Sequence, residues 1–298
     1  MKLFWATSRR GNIGDDLNPL LWGRLFGRQF FDDSPDEVFV GVGSILSTMW
    51  TFEGDTRKIV FGSGARSHWS LPAIDHRWDL RFVRGPKTAN LLRRWNVGFI
   101  TDPAVMLPTV LEPNERDSSE KAANLIGFVP HHGTPRRFVD KVVQSLGLIE
   151  ISPHLKAREF VNALCACDYI VAEAMHGAIL ADAYRIPWIG VRIINELFEG
   201  FTTRFKWEDW LGSLGLGKDS VVQAAPGAFR FARKGSAKIV FKVIGSGDIF
   251  DRFTERAISI LNRSLNEQRW NLSKEGILAG KRENIAQEIA KLKLDYGR

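Results

Sequence analysis

The sequence predicts an α/β protein of two units, each a parallel sheet with helices on both faces, with a cleft between their strand ends. Two observations carry this. Short runs rich in Val, Ile and Phe alternate with amphipathic stretches along most of the chain, and one long polar break interrupts the alternation. Before the break, strand-like runs fall at 2–6, 38–42, 58–62, 81–83 and 97–100, with helical stretches at 17–26 and 87–95. The break, 108–120, carries Pro108, Pro113, Asn114, Asp117, Ser118 and Ser119 and reads as an inter-domain linker. After it, strands are expected at 125–129, 148–152, 169–172 and 188–191, and helices at 135–146, 156–165 and 176–184. The chain thus divides into a first α/β unit over 1–110, a second over 120–225 and a basic, mainly helical segment over 226–298. In that last segment 257–265 and 283–294 are amphipathic, while 230–244 alternates poorly. Ligands of such folds sit at the carboxyl ends of the strands, where two units leave a cleft.

Composition excludes several classes. At 298 residues the chain can bury two ordinary cores, and no apolar run reaches membrane-spanning length. Met1-Lys2-Leu3-Phe4-Trp5 enters a strand pattern rather than a signal peptide, so a cytoplasmic protein is expected. Cys165 and Cys167 lie two apart at a helix end and read as buried filler, neither disulfide nor zinc pair. The net charge of +7 is local: 226–298 holds fifteen Lys or Arg against eight Asp or Glu, leaving the remainder close to neutral. A solvated helical surface is the default reading of that segment, and anionic lipid at the inner membrane face is the alternative. Nucleic acid is not expected, because the segment lacks aromatic interleaving and any zinc-finger or RNP-type signature.

Every strand end in the first unit carries small residues or a charge. Gly11-Asn12-Ile13-Gly14-Asp15-Asp16 opens a helix with Asp15 or Asp16 placed to cap it, and Gly41-Val42-Gly43-Ser44 and Gly62-Ser63-Gly64 follow the next two strands. Three such loops at one sheet edge can turn backbone N–H groups, as at Gly14, Gly43 and Ser44, toward an anion. None matches Walker A or the full Gly-x-Gly-x-x-Gly spacing, which disfavours a nucleoside triphosphate or dinucleotide. Arg84 closes a strand just before a helix that Pro86 starts, a placement suited to a carboxylate or phosphate. Lys87 begins that helix and is as well explained by solvent. Asp102, before Pro103, is either a turn cap or a binding group.

In the second unit His131-His132 closes a strand, where anion contact or acid/base support is a better reading than a metal. Arg192 ends the last strand, and Lys206 lies between aromatics that would half-bury it, which calls for an anionic partner. The best candidate reacting centre is 170–180, where a buried strand turns into a close-packed helix at Glu173-Ala174-Met175-His176. A helix N-terminus favours anions and lowers a histidine's pKa, and Glu173, three residues earlier, can orient His176 or share its proton.

Taken in order, Gly-Asn-Ile-Gly-Asp-Asp at 11–16, Gly-Val-Gly-Ser at 41–44, Val-Arg-Gly-Pro at 83–86, Thr-Asp-Pro-Ala at 101–104 and Glu-Ala-Met-His-Gly-Ala at 173–178 resemble the polysaccharide pyruvyl transferase family. The likeness covers roughly 5–215 and is nearest in appearance to the enzymes that ketalate acidic exopolysaccharides such as succinoglycan. The resemblance implies two Rossmann-like domains similar to the GT-B glycosyltransferases. It also implies transfer of a pyruvyl unit from phosphoenolpyruvate, as co-substrate, to a sugar of a lipid-linked polysaccharide repeat unit, with no cofactor and no metal. His176 and Glu173 fall on the family's His and Glu and become the expected proton-transfer pair. Arg84, Gly14, Gly43, Ser44, His132, Lys206 and Arg192 become the expected donor-binding groups, and Asp15 and Asp102 the acceptor-binding ones. The family's Arg falls on Ala174, so another cation is needed there, and His132 is the candidate. A nucleotide-sugar glycosyltransferase is the alternative activity, and a non-catalytic glycan-binding role, motivated by Ala174, is the alternative class.

Overall fold

The computed structural model describes residues 1–32, 34–52, 55–114, 124–194, 199–224 and 247–297. It is an α/β protein with two all-parallel sheets. The first contains β1 (Lys2–Phe4), β2 (Glu37–Val40), β3 (Arg57–Phe61) and β4 (Trp78–Phe82) in that spatial order. The second runs β6 (Ile149–Glu150), β5 (Ile126–Val129), β7 (Tyr169–Ala172), β8 (Trp188–Arg192), β9 (Val221–Gln223). Parallel strands require crossovers, and helices α1 (Ile13–Leu25), α3 (Arg136–Leu146), α4 (Ala157–Cys165) and α5 (Met175–Ala183) lie in four of them, while α2 (Pro86–Leu91) follows β4 and leads out of the first sheet.

The expected elements recur with moved ends. The run 97–100 makes only a single bridge, Phe99 to Val83, instead of a strand. Of the expected linker 108–120, only Pro108 and Thr109 belong to a described element, the end of a 3-10 helix over Pro103–Thr109 that packs on α5 with Ala104, Val105 and Leu107 in the core that both sheets share. The stretch 115–120 lies outside the described residues. Two elements were not expected: β9, and α6 (Phe201–Ser213), whose buried residues include Phe205, Trp207, Trp210 and Leu211.

The C-terminal segment folds back on the sheets. α7 (Gly247–Asn266) packs on α3 through Phe250, Phe253, Ala257 and Leu261. α8 (Glu275–Asp295) packs on the 3-10 helix through Leu278, Ile285, Ile289 and Leu292. Several of its cations are used internally: Arg282 donates to the Val105 and Ala183 carbonyls (2.9 and 2.6 Å), and Lys293 to the Leu25 carbonyl (3.0 Å). The poorly alternating run 230–244 lies outside the described residues. No described helix is long and apolar enough to cross a membrane.

Candidate functional site

His176 stands in the first turn of α5, where the strand-to-helix reading put it. Its seat is made by the other sheet. Gly14, in the first turn of α1, lies so close to the imidazole that a Cβ there would come within 1.9 Å of Nδ1, so only glycine admits the ring. His176 Nε2 faces the Asp102 carboxylate at 3.6 Å, and Asp102 is wholly buried. The other Asp102 oxygen accepts from the Ala104 N–H (3.1 Å) and so caps the 3-10 helix. Burial alone would raise the Asp102 pKa, but the His176 imidazole, the charge of Arg84 and the Ala104 N–H hold the carboxyl below its ordinary value. Asp102 therefore backs His176 instead of lining an acceptor site.

Glu173 does something else. It is fully buried, and its carboxylate accepts from the His131 N–H (3.1 Å), the Thr134 hydroxyl (2.6 Å) and the Ile194 N–H (2.8 Å). These bonds fasten the loops after β5 and β8 to the end of β7. The expectation that Glu173 partners His176 gives way to Asp102 for a geometric reason: at the strand-to-helix turn Glu173 is turned toward the neighbouring loops of its own sheet.

A cavity of about 130 Å³ opens in front of His176. Asn12, Asp15, Gly43, Ser44, Trp50 and Arg66 line it from the first sheet's loops, and His131, His132, Ala174, His176, Glu199 and Lys206 from the second's. The glycine loop after β2 is pinned by Asn18, which accepts from the Val42 N–H (2.9 Å) and donates to the Val42 carbonyl (3.1 Å). Gly43 then takes φ +128°, which L side chains rarely adopt, and delivers Ser44 to the wall.

The cavity is rich in perturbed titratable groups. Burial raises the Asp15 pKa, against the opposing pull of His176, Asn12, Lys206 and His132. Burial pushes His131 down to about 3, and it lowers His132 as well. Against its own desolvation, Lys206 and His131 hold Glu199 at about 2. Lys206 donates to Glu199 at 2.7 Å, the anionic partner its aromatic setting required, and Arg66 lies 4.0 Å from the same carboxylate.

Besides Glu173, four expected site residues are placed away from the cavity wall. Arg84 is completely buried, bonded to Asp209 (3.2 Å), the Ser44 hydroxyl (3.0 Å) and the Ala65 carbonyl (3.3 Å). A guanidinium so engaged does not clamp a ligand directly; it braces Ser44. Arg192, the last residue of β8, donates to Gln223 (2.9 Å) on the neighbouring strand and does not line the cavity. Gly14 serves the His176 ring, and Asp102 lies behind it. Arg66 and Trp50 were not anticipated. Both lie in loops whose only sequence signal is nearby glycine and serine.

Elsewhere, a shallow depression of about 620 Å³ beside Arg24, Glu112 and Arg158 is rimmed by exposed side chains and carries no buried polar group. Among the described residues, no three His, Cys, Asp or Glu converge as a metal site would require.

The arrangement can be set beside known proteins. The family model for polysaccharide pyruvyl transferase matches residues 12–194. The chain belongs to that family. It is 36% identical over 219 residues to the succinoglycan biosynthesis protein ExoV of Rhizobium meliloti (strain 1021), an alignment covering 72% of this chain and 66% of the relative. The chain thus matches just under two thirds of that relative's length. No solved structure matches significantly. The matched span carries Asp15, Arg66, Asp102, His132 and His176, while Glu199 and Lys206 follow it. At Ala174, where an arginine was expected from the family resemblance, the wall is apolar, and Arg66 enters the same cavity from the opposite sheet.

Proposed function

We propose that this protein transfers pyruvate from phosphoenolpyruvate to two hydroxyls of a sugar in an exopolysaccharide or its lipid-linked precursor, forming a cyclic ketal. The two sheets would then be the halves of a GT-B-like pair of Rossmann-like domains. The observation that carries the reading is the juxtaposition of His176, backed by buried Asp102, with the Arg66, Lys206 and His132 groups across one small cavity. A compact trianion needs several cations and N–H donors in one place. Arg66 supplies the guanidinium that Ala174 lacks, and Lys206 a point charge.

The reaction adds one sugar oxygen to the carbon bearing the phosphate ester while the methylene carbon takes a proton to become methyl. Phosphate then leaves as the second sugar oxygen adds to the same carbon. Of the two hydroxyl protons released, one balances the new methyl group and one the departing phosphate. His176 is placed to move these protons, and the Asp102 carboxylate lies behind its ring at 3.6 Å. Asp15, kept protonated to higher pH by burial, is a second group able to give a proton. This route asks for no metal, because the enol phosphate is already an activated leaving group.

Incubation with phosphoenolpyruvate and acid-depyruvylated succinoglycan oligosaccharides is expected to give a product heavier by pyruvate less water, with release of phosphate. Calorimetry separates the rival. Tight binding of a nucleotide sugar with none of phosphoenolpyruvate overturns the reading in favour of glycosyl transfer.

A further inference from the structure

Beside the cavity stand two of the most exposed aromatic rings on the described surface. Trp69 is 79% exposed and Phe201 69%, although rings of this size are normally covered. They are held, not loose. Ser67 and Ser70 lock the turn that carries Trp69: the Ser67 N–H donates to the Ser70 hydroxyl (3.0 Å), and the Ser70 N–H to the Ser67 carbonyl (3.4 Å). His68 packs edge-on against Phe205 of α6, centroids 5.1 Å apart, which holds the turn to the helix that begins at Phe201. Trp69 and Phe201 consequently meet at 6.5 Å and 72°, a floor and a wall.

The same two segments build the cavity. Arg66 is three residues before Trp69, and Glu199 two before Phe201, so the aromatic corner is built on the same two chain segments that carry Arg66 and Glu199 to the cavity. Trp50 links the two. It lines the cavity, its segment is tied to the Trp69 turn by Thr48 N–H donating to the Ser70 carbonyl (2.7 Å), and its buried indole N–H finds no acceptor among the described residues. A buried donor without a partner is costly unless something completes it.

We propose that Trp69, Phe201 and Trp50 form the subsite that receives the sugar chain of the acceptor, a pyranose stacking its C–H face in the Trp69–Phe201 corner. This rests on the reading of the cavity as a donor site. Pyranoses suit such a corner because one face is all C–H and the hydroxyls lie at the rim, matching an apolar ring flanked by polar groups. Two rings and Met49 are far too small an area for a stable protein interface, which buries on the order of 1,200 Å² or more. Stacking on exposed rings would place the sugar's reacting hydroxyls toward His176 while the rest of the chain extends into solvent.

The test compares wild type, Trp69→Phe and the double variant Trp69→Ala/Phe201→Ala, with unchanged thermal unfolding as the folding control. Steady-state rates are read with depyruvylated succinoglycan oligosaccharides and phosphoenolpyruvate. The double variant is expected to raise the oligosaccharide KM about tenfold, equivalent to about 1.4 kcal/mol, leaving the phosphoenolpyruvate KM in place, with Trp69→Phe between. Saturation-transfer NMR on the oligosaccharide, without phosphoenolpyruvate, should show transfer from wild type and none from the double variant. Transfer that persists in the double variant overturns the subsite even if ketal forms. Loss of transfer with no ketal from wild type sustains the subsite and overturns pyruvyl transfer instead. Loss of sedimentation with phosphatidylglycerol vesicles, with the sugar signal kept, assigns the rings to a membrane and also overturns it.

Discussion

His176 and Asp102 come from different sheets, and their 3.6 Å approach lies just beyond hydrogen-bond length. A carboxylate so placed holds the imidazole in position from behind, so Asp102→Asn should cost kcat on the order of 10²-fold while leaving the phosphoenolpyruvate KM near wild type. Gly14→Ala tests the seat itself, because its Cβ would strike the ring: kcat should fall at least as far with little change in unfolding temperature. Asp15 behaves oppositely for stability. Its folded pKa lies above the unfolded value, so the folded state holds the extra proton between the two, and stability falls as pH rises through that window. Asp15→Asn should therefore raise Tm at pH 7, with the gain shrinking as pH falls toward 4, and should lower activity. Scanning calorimetry across that range checks the sign. In the sequence, His176 was legible because a polar residue at the mouth of an apolar strand-helix turn stands out. Its partner was not: Glu173 is three residues away, and Asp102 reaches the imidazole only through the packing of the 3-10 helix on α5. Arg66 was hidden for the same reason, since nothing local to Gly64-Ala65-Arg66-Ser67 says that the loop faces another sheet.

Helices with an apolar stripe were readable, and so was α5, whose run is apolar throughout, but α6, which mixes polar and apolar residues on every buried side, was not. α3 and α4 present an apolar stripe and were expected within a residue of their observed ends. α6 buries Thr203, Phe205, Trp207, Asp209, Trp210, Leu211 and Ser213, which encircle the helix and erase the stripe. α8 was expected only from 283 onward, yet its first half makes its most specific contact. Arg282 joins the 3-10 helix that carries Asp102 to the end of α5, the helix that carries His176, by donating to the Val105 and Ala183 carbonyls. Arg282→Ala removes two charge-assisted bonds to carbonyls and should cost about 2–4 kcal/mol. The urea midpoint should fall, and kcat measured well below the new transition should fall as well, because both halves of the His176–Asp102 pair lose their common anchor. An unchanged kcat with lower stability would show that α8 steadies the fold without setting the site.

At the scale of the whole molecule, α6 ties the second half of the chain to the first sheet. Asp209 accepts from the Arg84 guanidinium (3.2 Å), the Thr88 N–H (2.9 Å) and the Thr88 hydroxyl (2.7 Å), and Ser213 meets Thr101 at 2.8 Å. Both members of the Arg84–Asp209 pair are wholly buried, so desolvation offsets much of their attraction. Losing one partner is a different matter. Asp209→Ala leaves the buried guanidinium without its counter-charge and two Thr88 donors unmet, and should cost about 3–5 kcal/mol. Arg84→Met/Asp209→Leu removes both charges and should cost clearly less, so that a double-mutant cycle from urea unfolding gives a coupling of about 1–3 kcal/mol. Activity should not recover in parallel, because Arg84 also braces the Ser44 hydroxyl at the cavity wall and methionine cannot. A double variant as stable as wild type but impaired in kcat/KM would separate the two duties of Arg84: one to join the halves, the other to hold the glycine loop in place at the cavity.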